Sequence, residues 1–260
     1  MTERFSRVQA AEAVVSRWNE LEIPFVIAHG LEDYPRALGR DLDIHMDPGH
    51  ARQALREARQ TLVTVGWPTV VCPPPLWGDR LVALAPNGDD RYEYLEFHTA
   101  PGFSWLFLPL VTTQVSVTSW TGPFPTNTWT TYAKAVMLPL LGGETSRFTS
   151  TYLESTWRHI TATDEIEAPL TNLIGSQLAT ELLAASRTQN AERLVSLQSD
   201  VRWRCFLLMI EHPTSSVTRV WPFLRKRLGR VFSNAGARVR LSTPSGVDAH
   251  DLASDIGGRT

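Results

Sequence analysis

The stretch Ile23–Pro48, IPFVIAHGLEDYPRALGRDLDIHMDP, limits this chain more than any other. Phe25-Val26-Ile27-Ala28 is a short apolar run of the kind that forms a buried strand. Gly30 breaks it, a polar loop follows, and Leu42 to Met46 reads as a second strand carrying Asp41 and Asp43. Side chains alternate across a strand, so the two aspartates share one face, about 7 Å apart along it. Paired carboxylates beside a glycine turn suit a hard divalent cation, which takes oxygen ligands and is commonly held by a few carboxylates plus substrate phosphates.

The remaining composition narrows the class. At 260 residues, with 43% apolar and 20% charged residues, the chain can bury a full core. A net charge of −2 argues against bulk nucleic-acid binding, which rests on an excess of basic residues. Lys134 and Lys226 are the only lysines; the other basic residues are arginines. Cys72 and Cys205 give neither a metal spacing nor a disulfide framework, which points to a reducing, cytoplasmic setting. The N-terminal residues lack the apolar core of a signal peptide, and no apolar run is long enough to span a bilayer.

Along the chain, residues 4–20 have the spacing of an amphipathic helix. Asp47-Pro48 is an N-cap followed by a first-turn proline, predicting a helix over about 49–62 with Ala51, Ala54, Leu55 and Ala58 inward. Val63–Val71 is strand-like but interrupted by Gly66 and Pro68. Leu81–Leu84 and Tyr92–His98 form a hairpin about Asn87-Gly88-Asp89-Asp90. In its second strand Tyr92, Tyr94 and Glu96 share one face. Val115–Trp120 reads as one more strand, set apart by Pro123 and Pro125 from a helical remainder. Helices are expected from Asn127 to Leu141, ending at Gly142-Gly143, and at about 146–161, 168–186, 189–198, 200–211 and 215–231.

Three carboxylates from adjacent strands, Asp41, Asp43 and Glu96, can hold two Mg2+ ions that activate a hydroxyl and stabilise a leaving pyrophosphate. Gly30 would let the backbone approach nucleotide phosphates closely. Gly30, then Asp41-Leu42-Asp43-Ile44, then Leu95-Glu96-Phe97 resembles the nucleotidyltransferase signature of the DNA polymerase beta superfamily. Residues 20 to about 235 further resemble the N-terminal part of bacterial two-domain proteins found with surface-polysaccharide genes. There, a nucleotidyltransferase-like domain and a helical lobe precede a thymidylate-kinase-like P-loop domain.

The departures are specific. The family's Gly-Ser is Gly30-Leu31 here, so a hydroxyl for the triphosphate is missing, and Glu96 stands where Asp is usual. In the tail, Pro244-Ser245-Gly246 resembles the start of a P-loop. Asp248-Ala249-His250-Asp251 replaces the Gly-Lys-Ser/Thr that holds phosphate and Mg2+, which leaves a remnant without kinase activity.

Each signal has a plainer rival. Arg36 and Arg40 suit phosphate oxygens but equally a surface pairing with Glu32, Asp33 or Asp41. His45 and His98 read as partly buried strand residues rather than ligands. Lys134 is a candidate phosphate contact, with a solvated lysine as its rival. Trp105, Trp120, Trp129 and Trp157 read as packing residues. The basic run Arg219–Arg230 reads as a solvated helix face.

The expectation is an α+β fold: a nucleotidyltransferase-like mixed sheet with flanking helices over 1–126, an all-α lobe over 127–232, and a tail over 233–260. The resemblance implies a Mg2+-dependent nucleotidyltransferase acting on a nucleoside triphosphate and a small hydroxylated or phosphorylated acceptor. It implies Asp41, Asp43 and Glu96 as catalytic, metal-holding residues and Gly30, Arg40 and Lys134 as nucleotide-binding residues, with a kinase-like unit supplied separately. The alternatives are an inactive binding protein of the same fold and a toxin or antitoxin of the nucleotidyltransferase type.

Overall fold

The apolar positions of the two central strands decide which way the sheet faces. A computed structural model describes residues 5–72, 79–87, 91–100, 102–106, 108–111, 116–160, 162–211 and 240–242. Helix α1 (Arg7–Glu20) starts at a Ser6–Gln9 capping box and is followed by β1 (Phe25–His29) and β2 (Asp41–Met46). Asp47 caps α2 (Pro48–Thr64) by accepting from the Gly49 amide, as its sequence predicts. Phe25, Ile27, Leu42, Ile44 and Met46 all enter one buried cluster with α1 and α2. Trp18 anchors it, fully buried, with its ring edge-on to Phe25 at 5.0 Å and Phe97 at 5.9 Å. Its indole N–H, which burial would otherwise leave unsatisfied, donates to the Ala54 carbonyl at 2.8 Å.

β3 (Thr69–Cys72), β4 (Asp79–Asn87) and β5 (Arg91–Ala100) continue the chain. The helix α2 runs on to Thr64, so the strand expected from Val63 begins only after Gly66 and Pro68. β4 and β5 pair antiparallel from Asp79↔Thr99 to Asn87↔Arg91, and β5 lies parallel to β2. Residues 88–90, where the turn is expected, lie outside the described residues.

A short hairpin follows, β6 (Phe103–Trp105) with β7 (Leu108–Val111), inside the apolar run that gives no strand signal in the sequence. The strand expected at 115–120 is in fact β8 (Ser119–Thr121), paired antiparallel with β9 (Phe124–Thr126). Pro125 therefore sits within a strand rather than dividing the sheet from the helices. β9 meets β1 in parallel through Ile27↔Thr126. With β10 (Arg240–Ser242) antiparallel to β3, the mixed sheet runs β10-β3-β4-β5-β2-β1-β9-β8.

The helical part starts where Asn127 caps α3 (Thr128–Tyr132), accepting from the Thr130 amide at 2.8 Å. A π-helical segment, Ala133–Met137, leads directly into α4 (Leu138–Gly142), which ends at Gly143 in the left-handed conformation. The Tyr152 hydroxyl donates to the Ala135 carbonyl of this segment at 3.1 Å. Next come α5 (Ser150–Arg158), α6 (Asp164–Ile174), α7 (Ser176–Arg187) and α8 (Ala191–Glu211).

The helix expected over 168–186 is two helices, because Gly175 at φ 86° breaks it. The pair expected over 189–198 and 200–211 is one continuous helix, since Ser199 and Asp200 contain no breaker. These helices enclose a second buried cluster, which also takes in Ala28, Ala100, Phe103, Leu110 and Val111. The β6–β7 hairpin thus packs with the helices although it precedes residue 127. The basic run 219–230 and the P-loop-like residues lie outside the described residues.

Candidate functional site

The sheet face turned away from α1 and α2 carries the polar side chains. On β2, Asp43 and His45 alternate with the core residues Leu42, Ile44 and Met46. On β5, Glu96 and His98 alternate with Leu95 and Phe97. The parallel register sets Asp41 beside Glu96 and Asp43 beside His98. Parallel neighbours point the same way, so all three expected carboxylates share a face. They also share a cleft of about 310 Å³ with Gly30, Arg40 and Lys134, the other three expected residues. His29, Glu32, Gly39, His98 and Arg147 complete its lining.

Gly30 is needed here for two reasons. Its φ is +105°, and a Cβ would lie 2.4 Å from the Asp41 carbonyl oxygen and 2.8 Å from Leu42 Cδ2. The chain leaving β1 therefore passes directly over the backbone of β2. Leu31, where the resemblance would place a serine, is buried in the cluster with α1, so that position serves packing.

Sequence reasoning missed His29. Ile27 faces Ile44 across the β1–β2 ladder, but His29 faces Asp43, with Ala28 as an extra residue between them. This bulge re-aims His29 towards the acidic face, which strict alternation does not predict. His29 Nε2 lies 3.0 Å from Glu32 Oε1, and its Nδ1 lies 3.9 Å from Asp43 Oδ2. Glu32 also accepts from the Gly30 amide at 3.1 Å. Burial alone would raise the Glu32 carboxyl; the hydrogen bond and charge of His29, with the Glu32 and Gly30 amides, overcome it and bring its pKa down to about 2. Burial likewise lowers His29, and the hydrogen bond and charge of Glu32 reverse it, leaving the imidazole above its usual value.

Asp43 is the hub. It is 8% exposed. His98 Nδ1 lies 3.1 Å from its Oδ1, and Lys134 Nζ lies 3.0 Å from its Oδ2. Burial pushes this carboxyl up; the His98 hydrogen bond and then the charges of Lys134 and His29 push it further down, so it stays ionised below the ordinary aspartate range. The sequence reading placed His98 as a strand residue without a ligand role, yet it contacts Asp43 directly. The parallel β2–β5 pairing that brings them together leaves no mark in either strand's own pattern. Lys134, read there as a rival between phosphate contact and solvated lysine, is instead half-buried against Asp43. It sits on the π-helical segment, with its ammonium 5.0 Å from the Phe103 ring centre. Such segments recur at functional sites.

Elsewhere, Arg40 lies 5.4 Å over the Tyr94 ring at the cleft edge. His45 is buried near Phe103. Trp129 and Trp157 pack on the helical core as expected, with the Trp129 N–H donating to the Leu110 carbonyl at 2.8 Å. Trp120 is 60% exposed, which corrects its reading as a packing residue.

Mg2+ can be tested against this donor set. Carboxylate oxygens are the ligands it prefers, and three lie on one face of one cleft. In chemistry they fit. In the arrangement seen, however, Asp43 already carries an ammonium and an imidazole, and among the described residues no three His, Cys, Asp or Glu side chains are grouped to hold a metal ion. Among the described residues no helix is long and apolar enough to cross a membrane. Compared with protein-family models, curated proteins and solved structures, the chain matches none of them.

Proposed function

We propose that the cleft transfers a nucleotidyl group from a nucleoside triphosphate to a hydroxyl of a small acceptor, in a Mg2+-dependent reaction. The observation that carries this reading is the register pairing of Asp41 with Glu96, which puts Asp41, Asp43 and Glu96 on one face beside the Gly30 turn. Asp41, Asp43 and Glu96 would hold the metal. When bound, Mg2+ supplies charge neutralisation at the phosphates and a lowered pKa at that hydroxyl. The acceptor hydroxyl releases its proton to solvent, its oxygen bonds to the α-phosphorus, the bond from that phosphorus to the bridging oxygen breaks, and pyrophosphate leaves. Arg40, Lys134 and Arg147 line the same cleft and supply positive charge for the polyanion. The π-helical segment and the β1 bulge hold Lys134 and His29 on rigid elements, which favours positioning.

Isothermal titration with each nucleoside triphosphate, with and without Mg2+, tests this reading. Metal-enhanced binding that disappears in Asp41→Asn, with metal-dependent turnover lost in Asp43→Asn, is the expected result. Binding that ignores the metal, or unchanged turnover in Asp43→Asn, overturns it.

A second reading, a binding protein without turnover, draws on two observations. The Gly30 amide is already taken by Glu32, and Asp43 is already neutralised by Lys134. Metal-independent triphosphate binding would favour it.

A further inference from the structure

Lys134 reaches from the helical core into the sheet face and sets its ammonium 3.0 Å from Asp43 Oδ2. The opposite oxygen is met by His98, so both oxygens of this carboxylate are engaged from within the chain. The side chains are 12% exposed at Asp43 and 22% at Lys134, so water screens the pair only in part. An ammonium is a compact point charge on a flexible stem, unlike the broad planar guanidinium. It is also one of only two lysines in a chain whose other basic residues are arginines. The ammonium also lies over the face of Phe103, which holds the cation without neutralising it.

We propose that Lys134 is an exchangeable counter-ion: its ammonium occupies Asp43 in the free protein and competes directly with a divalent cation for that carboxylate. The inference rests on the metal-dependent reading above and adds an ordering to it. An ammonium and a metal ion compete for the same Asp43 oxygen, and each weakens the hold of the other by charge repulsion. Metal entry at this oxygen therefore displaces the ammonium, and a triphosphate bound in the same cleft would supply an anion to receive it. A triphosphate that draws Lys134 off Asp43 raises the affinity for metal, and by linkage metal raises the affinity for triphosphate. The free protein is then a poor metal binder that becomes a good one when its second ligand arrives.

The test is equilibrium Mn2+ binding to the full chain, read by electron paramagnetic resonance, in wild type, Lys134→Met, Lys134→Gln, Lys134→Arg and Asp43→Asn. Each is measured with and without inorganic triphosphate as the probe. Either neutral variant that retains the native circular dichroism suffices. The expected result is Mn2+ binding tightened roughly tenfold in the neutral variants without triphosphate, within the usual range of site-to-site coupling. Lys134→Arg, which keeps the charge, is expected to bind Mn2+ no better than wild type. The enhancement of Mn2+ binding by triphosphate should be smaller in the neutral variants. Neutral variants that bind Mn2+ no more tightly than wild type overturn the competition, and if Asp43→Asn still weakens binding, the metal site itself stands. No Mn2+ binding by wild type or the neutral variants removes both the inference and the metal-dependent reading.

Discussion

Gly30→Ala tests whether the cleft depends on the close passage of one strand over another. At φ +105° an L residue enters a left-handed region that costs about 1–2 kcal/mol. The new methyl would also lie 2.4 Å from the Asp41 carbonyl oxygen, closer than real Cβ atoms approach, and the obstacle is backbone that cannot rotate away. Forcing β1 and β2 apart adds the cost of overpacking, about 1–3 kcal/mol. The total of about 2–5 kcal/mol corresponds to a Tm lowered by roughly 5–15 °C. Gly66→Ala is the control, because Gly66 also has positive φ, +82°, but nothing lies within 4 Å of an added Cβ. It should lose only the conformational part, about 1 kcal/mol. Urea and thermal unfolding of both variants measure the two terms separately. Equal losses in the two would refute the close-approach argument.

Three further outcomes follow from the geometry. Tyr152→Phe removes the hydroxyl that donates to the Ala135 carbonyl; urea unfolding should show a loss of about 0.5–1.5 kcal/mol, and an unchanged midpoint would contradict it. The Glu32 carboxyl, lowered from 4.5 to about 2, contributes stability that is fully present above pH 4.5 and is lost as pH falls towards 2, on the order of a few kcal/mol. His29, raised from 6.5, contributes below that value and loses its share as pH rises through and beyond it, so the pair contributes most between about 4.5 and 6.5. Glu32→Gln should flatten the acid limb of a stability-against-pH curve; an unaltered limb counts against the pair. Asn127→Ala removes the cap of α3 and should cost about 1 kcal/mol by the same unfolding assay, whereas no loss would deny the cap a role.

Much of the sheet is legible from local pattern. The apolar run at Phe25, the alternation through Asp41–Met46 and the Asp47-Pro48 cap each report a structure a few residues long, and each forms where expected. Asp41, Asp43 and Glu96 face alike beside the Gly30 turn because two strand patterns fix their facing. What the sequence hides is set by distant partners. The bulge at Ala28 that turns His29, the parallel docking of β5 on β2 that gives Asp43 its His98, and the reach of Lys134 across to Asp43 all depend on tertiary placement. β6 and β7 are hidden because they are only three and four residues long, and Pro109 within β7 argues against a strand. The merger of two expected helices into α8 shows the reverse error, a boundary drawn at Ser199-Asp200 where polar residues merely face outward.

The contact between Lys134 and Asp43 also joins two separately buried interiors, one behind the sheet and one among the helices. A ligand that takes either charge for itself therefore cuts a stitch in the seam between them. Occupancy at the cleft would then be felt as altered breathing of the helical half, and backbone amides along α3 and α4, which flank Lys134, would record by their hydrogen-exchange rates whether the mouth of the site is filled.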